Sequence, residues 1–188
     1  MQDKAVGLGT LDANIIFYIR NCPPLAHYQS LTNVKALVVD EIAHIARETG
    51  NHWRKIFNVY AKLLFEISPE QFTSWQNLRD SVLLQAESDH CLLFSVPDLS
   101  KADFLGADLL SAKPIQKIHI ILGKGYAEQL GFCDSCIWLS HDFAINIDLG
   151  IIICPYFDYR QLSNKKITQL STLIQQVTAH QVQSKVDG

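Results

Sequence analysis

No stretch of this chain approaches the roughly 20 consecutive apolar residues that cross a bilayer, so no membrane-spanning helix is expected. A charge excess is missing too: 16 Lys and Arg stand against 19 Asp and Glu, a formal net charge of −3. That argues against a protein that coats nucleic acid through bulk electrostatics, because phosphate neutralisation dominates such binding. A local basic patch stays open, with Arg54, Lys55, Lys113, Lys117, Lys124, Arg160, Lys165 and Lys166 as candidates, beside the plainer reading of scattered surface charge. Repeats, low-complexity tracts and Pro/Gly/Ser-rich linkers are also lacking, so one domain is expected over residues 1–188, with 182–188 as a frayed tail. The five cysteines are an odd number, and Met1, Gln2, Asp3 and Lys4 lead into no basic segment with a long apolar run. Neither a disulfide framework nor a secretory leader is expected, and a cytoplasmic protein is the default. No Ser-His-Asp set, paired catalytic carboxylates or two-histidine metal motif is recognisable by spacing, which lowers the expectation of an ordinary hydrolase.

What is there is ordinary globular composition, 48% apolar and 19% charged, in a chain long enough to bury a substantial core. Short continuous apolar runs bounded by breakers read as strands buried on both faces. Asn14 to Ile19, Cys91 to Val96, Ile118 to Leu122 and Ile151 to Cys154 fit that description. Cys136 to Leu139 and Phe143 to Ile147 are ambiguous between a hairpin and an edge strand. Helical spacing joins Val34, Leu37, Val38, Ile42 and Ile45 up to a stop at Gly50. Asn51 can cap a second helix with Trp53, Ile56, Val59, Tyr60, Leu63 and Leu64 as its apolar stripe. Ser68-Pro69-Glu70 is a start signal for a third, carrying Phe72, Trp75, Leu78 and Val82. A short helix is predicted over Ala102 to Ser111, another after Gly123, and a closing one from Asn164 through Ile167, Leu170, Leu173, Ile174 and Val177. Buried strands alternating with amphipathic helices imply an α/β fold: three layers, a small, about four-stranded, mostly parallel sheet, and helices on both faces.

In such sheets ligands sit beyond the carboxyl ends of the strands. Four features are candidates for chemistry. The segment after the last strand, Tyr156, Phe157, Asp158, Tyr159 and Arg160, offers stacking faces, an acid and a guanidinium, which suits a planar anionic ligand. A local Asp158–Arg160 pair with the aromatics covering the closing helix explains it equally well. Gly123-Lys124-Gly125 stands at a strand-to-helix turn where free amides can hold an anion, or where glycine merely accepts an unusual backbone geometry. At the start of the second helix, His52 and Arg54 can donate to a phosphate, although a helix start with Trp53 in the core is the favoured reading. Cys133 and Cys136 have the spacing of zinc and redox pairs, yet a zinc site needs four ligands and no second pair accompanies them. Cys91 and Cys154 read as small core residues.

The order of segments resembles the uracil-DNA glycosylase superfamily. The stretch Lys113 to Gly131, KPIQKIHIILGKGYAEQLG, is similar to that family's Pro, hydrophobic strand, Leu-Gly-Lys, small residue and short helix. Asn21-Cys22-Pro23 falls where the first strand leads to the water-activating residue, and Cys154-Pro155-Tyr156 falls where the family carries His-Pro-Ser. The resemblance implies a small four-stranded parallel sheet flanked by helices. It also implies Asn21 as the residue that positions water, with Arg160 or Lys124 holding phosphate. Cysteine in place of the histidine removes a group that would steady charge as a base leaves. The chain also resembles uncharacterised bacterial proteins of unknown function.

The expected function is therefore binding of a nucleobase, nucleotide or nucleic acid by a divergent glycosylase-like domain, with N-glycosyl hydrolysis as its enzymatic version. The expected site is Asn21, His27, Asp98, Gly123, Lys124, Gly125, Tyr156, Phe157, Asp158 and Arg160, with no metal or cofactor. Two alternatives stand beside it: a non-enzymatic protein-interaction module on the same fold, and a zinc or thiol-redox protein through Cys133 and Cys136.

Overall fold

A computed structural model describes residues 4–97 and 117–183. Its strands are β1 (Gly7–Gly9), β2 (Ile15–Tyr18), β3 (Val34–Lys35), β4 (Cys91–Leu93), β5 (Ile118–Leu122), β6 (Ile137–Trp138), β7 (Ala144–Asn146) and β8 (Ile151–Cys154). Its helices are α1 (Ala26–Gln29), α2 (Glu41–Thr49), α3 (Asn51–Ile67), α4 (Trp75–Ser81), α5 (Lys124–Gln129) and α6 (Asn164–Gln183), with 3-10 turns at Pro69–Gln71 and Cys133–Ser135. The helix expected over Ala102 to Ser111, and Asp98 and Lys113, lie outside the described residues.

The strands form one mixed sheet of eight in the order β3-β1-β4-β2-β5-β8-β7-β6. The four central strands, β4, β2, β5 and β8, run parallel to one another. β1 is antiparallel to β4 and parallel to β3, while β7 is antiparallel to both β8 and β6. The fold is thus α/β as the alternation implied, but the sheet is larger and more mixed than the expected small one. The two unanticipated strands, β1 and β3, have three and two residues, too few to display a period, whereas β6 and β7 fall within Cys136 to Leu139 and Phe143 to Ile147 and pair as a hairpin.

Register and side-chain alternation divide the sheet into two faces. Phe17, Ile120, Leu122, Ile152 and Cys154 pack into the main core with α3 and α6. Ile121, Ile151 and Ile153 pack with Ala127 of α5 and with Cys136 and Ala144 on the other face. Because both faces are covered, β5 and β8 are buried along their whole length, which is why their sequences are apolar throughout except for His119. The stripe of α3 sits where its spacing placed it, with Trp53, Ile56, Val59, Tyr60 and Leu63 buried and Leu64 partly buried, and Phe57 joins it. Each such side chain contributes about 1.5–3 kcal/mol when it leaves water.

Three local expectations are corrected. Val34 and Lys35 pair with Gly7 and Leu8 as strand β3, and Leu37 bridges to Gln85, so α2 begins only at Glu41. Apolar residues at helical spacing were here drawn into the sheet by tertiary pairing, and Val38 is left exposed. Asn51 is the first residue of α3, and the capping position belongs to Gly50. The third helix does not start at Ser68: Pro69 opens one 3-10 turn, Phe72 is extended, and Ser74 accepts from the Asn77 amide, 3.1 Å away, to cap α4.

β1 escaped detection because it reads Gly-Leu-Gly, a poor strand former. The glycines are there for space. A Cβ on Gly7 would stand 2.3 Å from the Leu92 carbonyl oxygen, and one on Gly9, at φ +99, would stand 2.0 Å from the His90 carbonyl oxygen. Gly9→Ala is expected to lower stability by about 2–3 kcal/mol, since both the positive φ and the contact must be relieved by parting β1 from β4. A urea denaturation midpoint unchanged from the parent protein would contradict that.

Candidate functional site

The register levels the carboxyl ends of the parallel strands. Leu93 is opposite Tyr18, Tyr18 opposite Ile121, and Leu122 opposite Cys154. The chain therefore leaves β4 at Phe94, β2 at Ile19, β5 at Gly123 and β8 at Pro155 along one edge of the sheet. The parallel ladder runs one step further on each side of the centre, with the Ile19 amide donating to the Leu93 carbonyl (2.9 Å) and the Gly123 amide to the Cys154 carbonyl (2.8 Å).

Tyr156 is the centre of what this edge brings together. Its ring is half-buried and lies beside Gly123, where a Cβ would meet Tyr156 Cδ2 at 3.9 Å and nothing nearer. Its hydroxyl is hydrogen-bonded to His52 Nε2 at 3.0 Å, across 104 positions of sequence, in the first turn of α3. The two rings are 5.8 Å apart at 31°. Burial, and then the Asp158 charge, push the Tyr156 phenol up to about 12, so it stays a neutral hydrogen-bonding group at physiological pH.

One turn along α3, Lys55 donates to Asp158 Oδ2 at 3.0 Å and lies over the Tyr159 ring at 4.7 Å. Asp158 also accepts from the Arg160 amide at 2.9 Å. That amide, and after it Lys55, holds the Asp158 carboxyl below its ordinary value. Asp158 is thus tied to Lys55 and to the Arg160 backbone, while the Arg160 guanidinium lies on an exposed residue.

Phe157, next to Tyr156, is fully buried, with its centroid 5.7 Å from Phe17 and 5.6 Å from Tyr60. Cys154 is fully buried in the main core, and burial raises its thiol well above the ordinary value. The remaining candidates disperse. Lys124 places its ammonium over the Trp138 ring at 4.6 Å. Gly125 sits exposed in the first turn of α5, and Asn21 is exposed on the loop after β2. His27 is exposed on α1, edge-on to Tyr28 at 4.9 Å, and lines a separate open depression with Lys35, Val38 and His44. Cys133 and Cys136 border the 3-10 turn before β6, and burial raises both thiols. No three His, Cys, Asp or Glu side chains among the described residues are grouped as metal ligands would be.

The model of a family of unknown function, DUF6942, matches residues 6–175. The chain belongs to that family. The span that matches DUF6942 runs from the residue before β1 into α6, so His52, Lys55, Gly123 and Tyr156 to Arg160 all lie inside it. No curated protein and no solved structure matches the chain.

Two contacts of this DUF6942 chain were not legible beforehand. The Lys55–Asp158 pair joins residues 103 apart, and charge alone gave no means of choosing among partners. The other is a buried pair away from the edge, Tyr18 hydroxyl to His119 Nδ1 at 2.8 Å. Its signal was the single histidine inside the apolar run Ile118 to Leu122.

Proposed function

We propose that this chain binds a nucleobase-bearing ligand, a nucleotide or a nucleic-acid residue, at the carboxyl edge of its parallel strands, and that it does so without hydrolysing the glycosyl bond. The observation that carries this reading is the Tyr156 ring, held half-buried beside the open face of Gly123 by its hydrogen bond to His52. A fixed aromatic face next to a glycine gives a base room to stack, and stacking is the most sequence-tolerant way to hold one. The exposed Arg160, and Lys55 where it pairs with Asp158, bring positive charge suited to a phosphate to the segment that follows Tyr156. The four central parallel strands with helices on both faces support the glycosylase-like resemblance, and the position that would carry its histidine supports the loss of chemistry. Cys154 points into the core there, as a protonated thiol that reaches no ligand.

Tyr156→Ala is expected to weaken nucleotide or single-stranded DNA binding about 5- to 150-fold, from the roughly 1–3 kcal/mol that stacking on one aromatic contributes. Calorimetric titration of parent and variant with a nucleotide and oligonucleotide panel reads this directly, and equal affinities would overturn the assignment. Incubation with uracil-, hypoxanthine- and alkylated-base duplexes is expected to yield no abasic product. Base release would restore the enzymatic version.

One observation favours the interaction-module reading. β6 is the last strand of the sheet, and Ile137 on it is 72% exposed. Unpaired apolar edges invite another chain. Charge substitution at Ile137 separates the readings, because it would abolish partner binding and leave nucleotide affinity unchanged.

A further inference from the structure

At the opposite edge of the sheet, the amino ends of β2 and β5, the layer between sheet and helices is incompletely filled. A cavity of about 470 Å³ opens there between the strands, α3 and α6, within the usual size range of sites for small organic molecules. Phe17 and Tyr60 close its floor and are fully buried. Ile15, Leu64 and Ile67 line it and are only partly buried, although they pack against the main core. They keep apolar surface open to the cavity, surface that a ligand would remove from water.

Among the described residues, the one charged group at this cavity, beside neutral polar groups that include Gln175 and Gln181, sets the sign of what it would take. The Tyr60 hydroxyl already donates to the Cys91 carbonyl at 3.1 Å, and the Thr178 hydroxyl to the Ile174 carbonyl at 2.8 Å. The Asn14 amide donates to Asp89 Oδ2 at 3.3 Å. Asp89 is the sole charged side chain lining the cavity among the described residues, and it sits exposed at the rim. The geometry points to a second site, for a small apolar amine: its hydrocarbon body fills the space against Ile15, Leu64 and Ile67, and its ammonium pairs with Asp89. A carboxylate of the same length would bring like charges together at the rim. This site stands apart from the nucleotide site, at the other end of the same strands, and does not depend on it.

Titrating octylamine and octanoate into the isotopically labelled intact chain tests this. Octylamine is expected to move the Asp89, Ile174 and Thr178 signals saturably, and octanoate to bind at least about tenfold more weakly. Asp89→Asn, a surface change that leaves the cavity intact, is expected to erase that preference. Leu64→Trp, which fills the space, is expected to abolish binding of both. Octylamine leaving those signals unmoved, octanoate matching it, or Asp89→Asn preserving the preference would each overturn the assignment.

Discussion

Phe157→Ala is expected to cost about 3–5 kcal/mol of stability, the range for emptying a buried aromatic position, whereas Tyr156→Ala one position earlier is expected to cost about 1 kcal/mol. The difference comes from where the backbone sends each side chain. Phe157 is fully enclosed between Phe17 and Tyr60, in the layer where the sheet meets α3. Its removal leaves a cavity that three packed elements cannot close. Tyr156 is half-buried, and what it loses is one hydrogen bond to an exposed histidine and part of its packing. Urea denaturation of both variants, read alongside ligand titration, separates the roles. Phe157→Ala should move the midpoint most, and Tyr156→Ala should move the affinity most. A smaller midpoint shift for Phe157→Ala than for Tyr156→Ala would mean that the segment after β8 is packed differently.

The second large effect is acid destabilisation centred on two histidines. His119 is 3% exposed and His90 is partly buried, and burial lowers both side chains to about 4. Lys117 adds to the effect at His119, and Asp89 partly offsets it at His90. In the unfolded chain both titrate near the ordinary value of about 6.5. Between those limits the unfolded state binds a proton that the folded state refuses, so stability is full above about pH 6.5 and falls as pH drops toward 4. At about 1.4 kcal/mol per pH unit, the loss is on the order of 3 kcal/mol for each group. Glu41 and Asp158, whose carboxyls are held below their ordinary values, add to the loss only as pH falls further, through their folded-state values. Denaturation midpoints measured from pH 7.5 to 4.5 should fall steeply below pH 6.5, and His119→Phe should reduce that slope to about half. A flat profile across this window would contradict burial of the two imidazoles as neutral groups.

How much of this was readable from the chain depended on the length of each signal. The stripe on α3 spans about three turns, and the runs Ile118 to Leu122 and Ile151 to Cys154 are buried on both faces, so their patterns identify them. β1 and β3 have three and two residues, and their strand character comes from partners elsewhere, as Val34 and Lys35 show by pairing with Gly7 and Leu8; β6 and β7 were readable only as a hairpin or an edge strand, and they pair as the hairpin. The same limit applies to the candidate site. Tyr156 to Arg160 stood out as a cluster, but outside regular structure no period says which side a residue faces. The turn after Pro155 sends Phe157 inward, ties Asp158 to Lys55 and leaves Arg160 in solvent. The contact that organises the edge, Tyr156 to His52, links two segments 104 positions apart that share no pattern in sequence. The packing of α3 against the sheet, rather than any local pattern, brings the start of α3 to the end of β8.

The most direct test of Tyr156 and His52 as one binding surface is a titration of the labelled chain with nucleotides and short single-stranded DNA, following the ring signals of both residues. Saturable shifts of both rings, together with the Gly123 amide, and their loss in Tyr156→Ala are expected. Saturating ligand that leaves all three signals unmoved would contradict the proposed site.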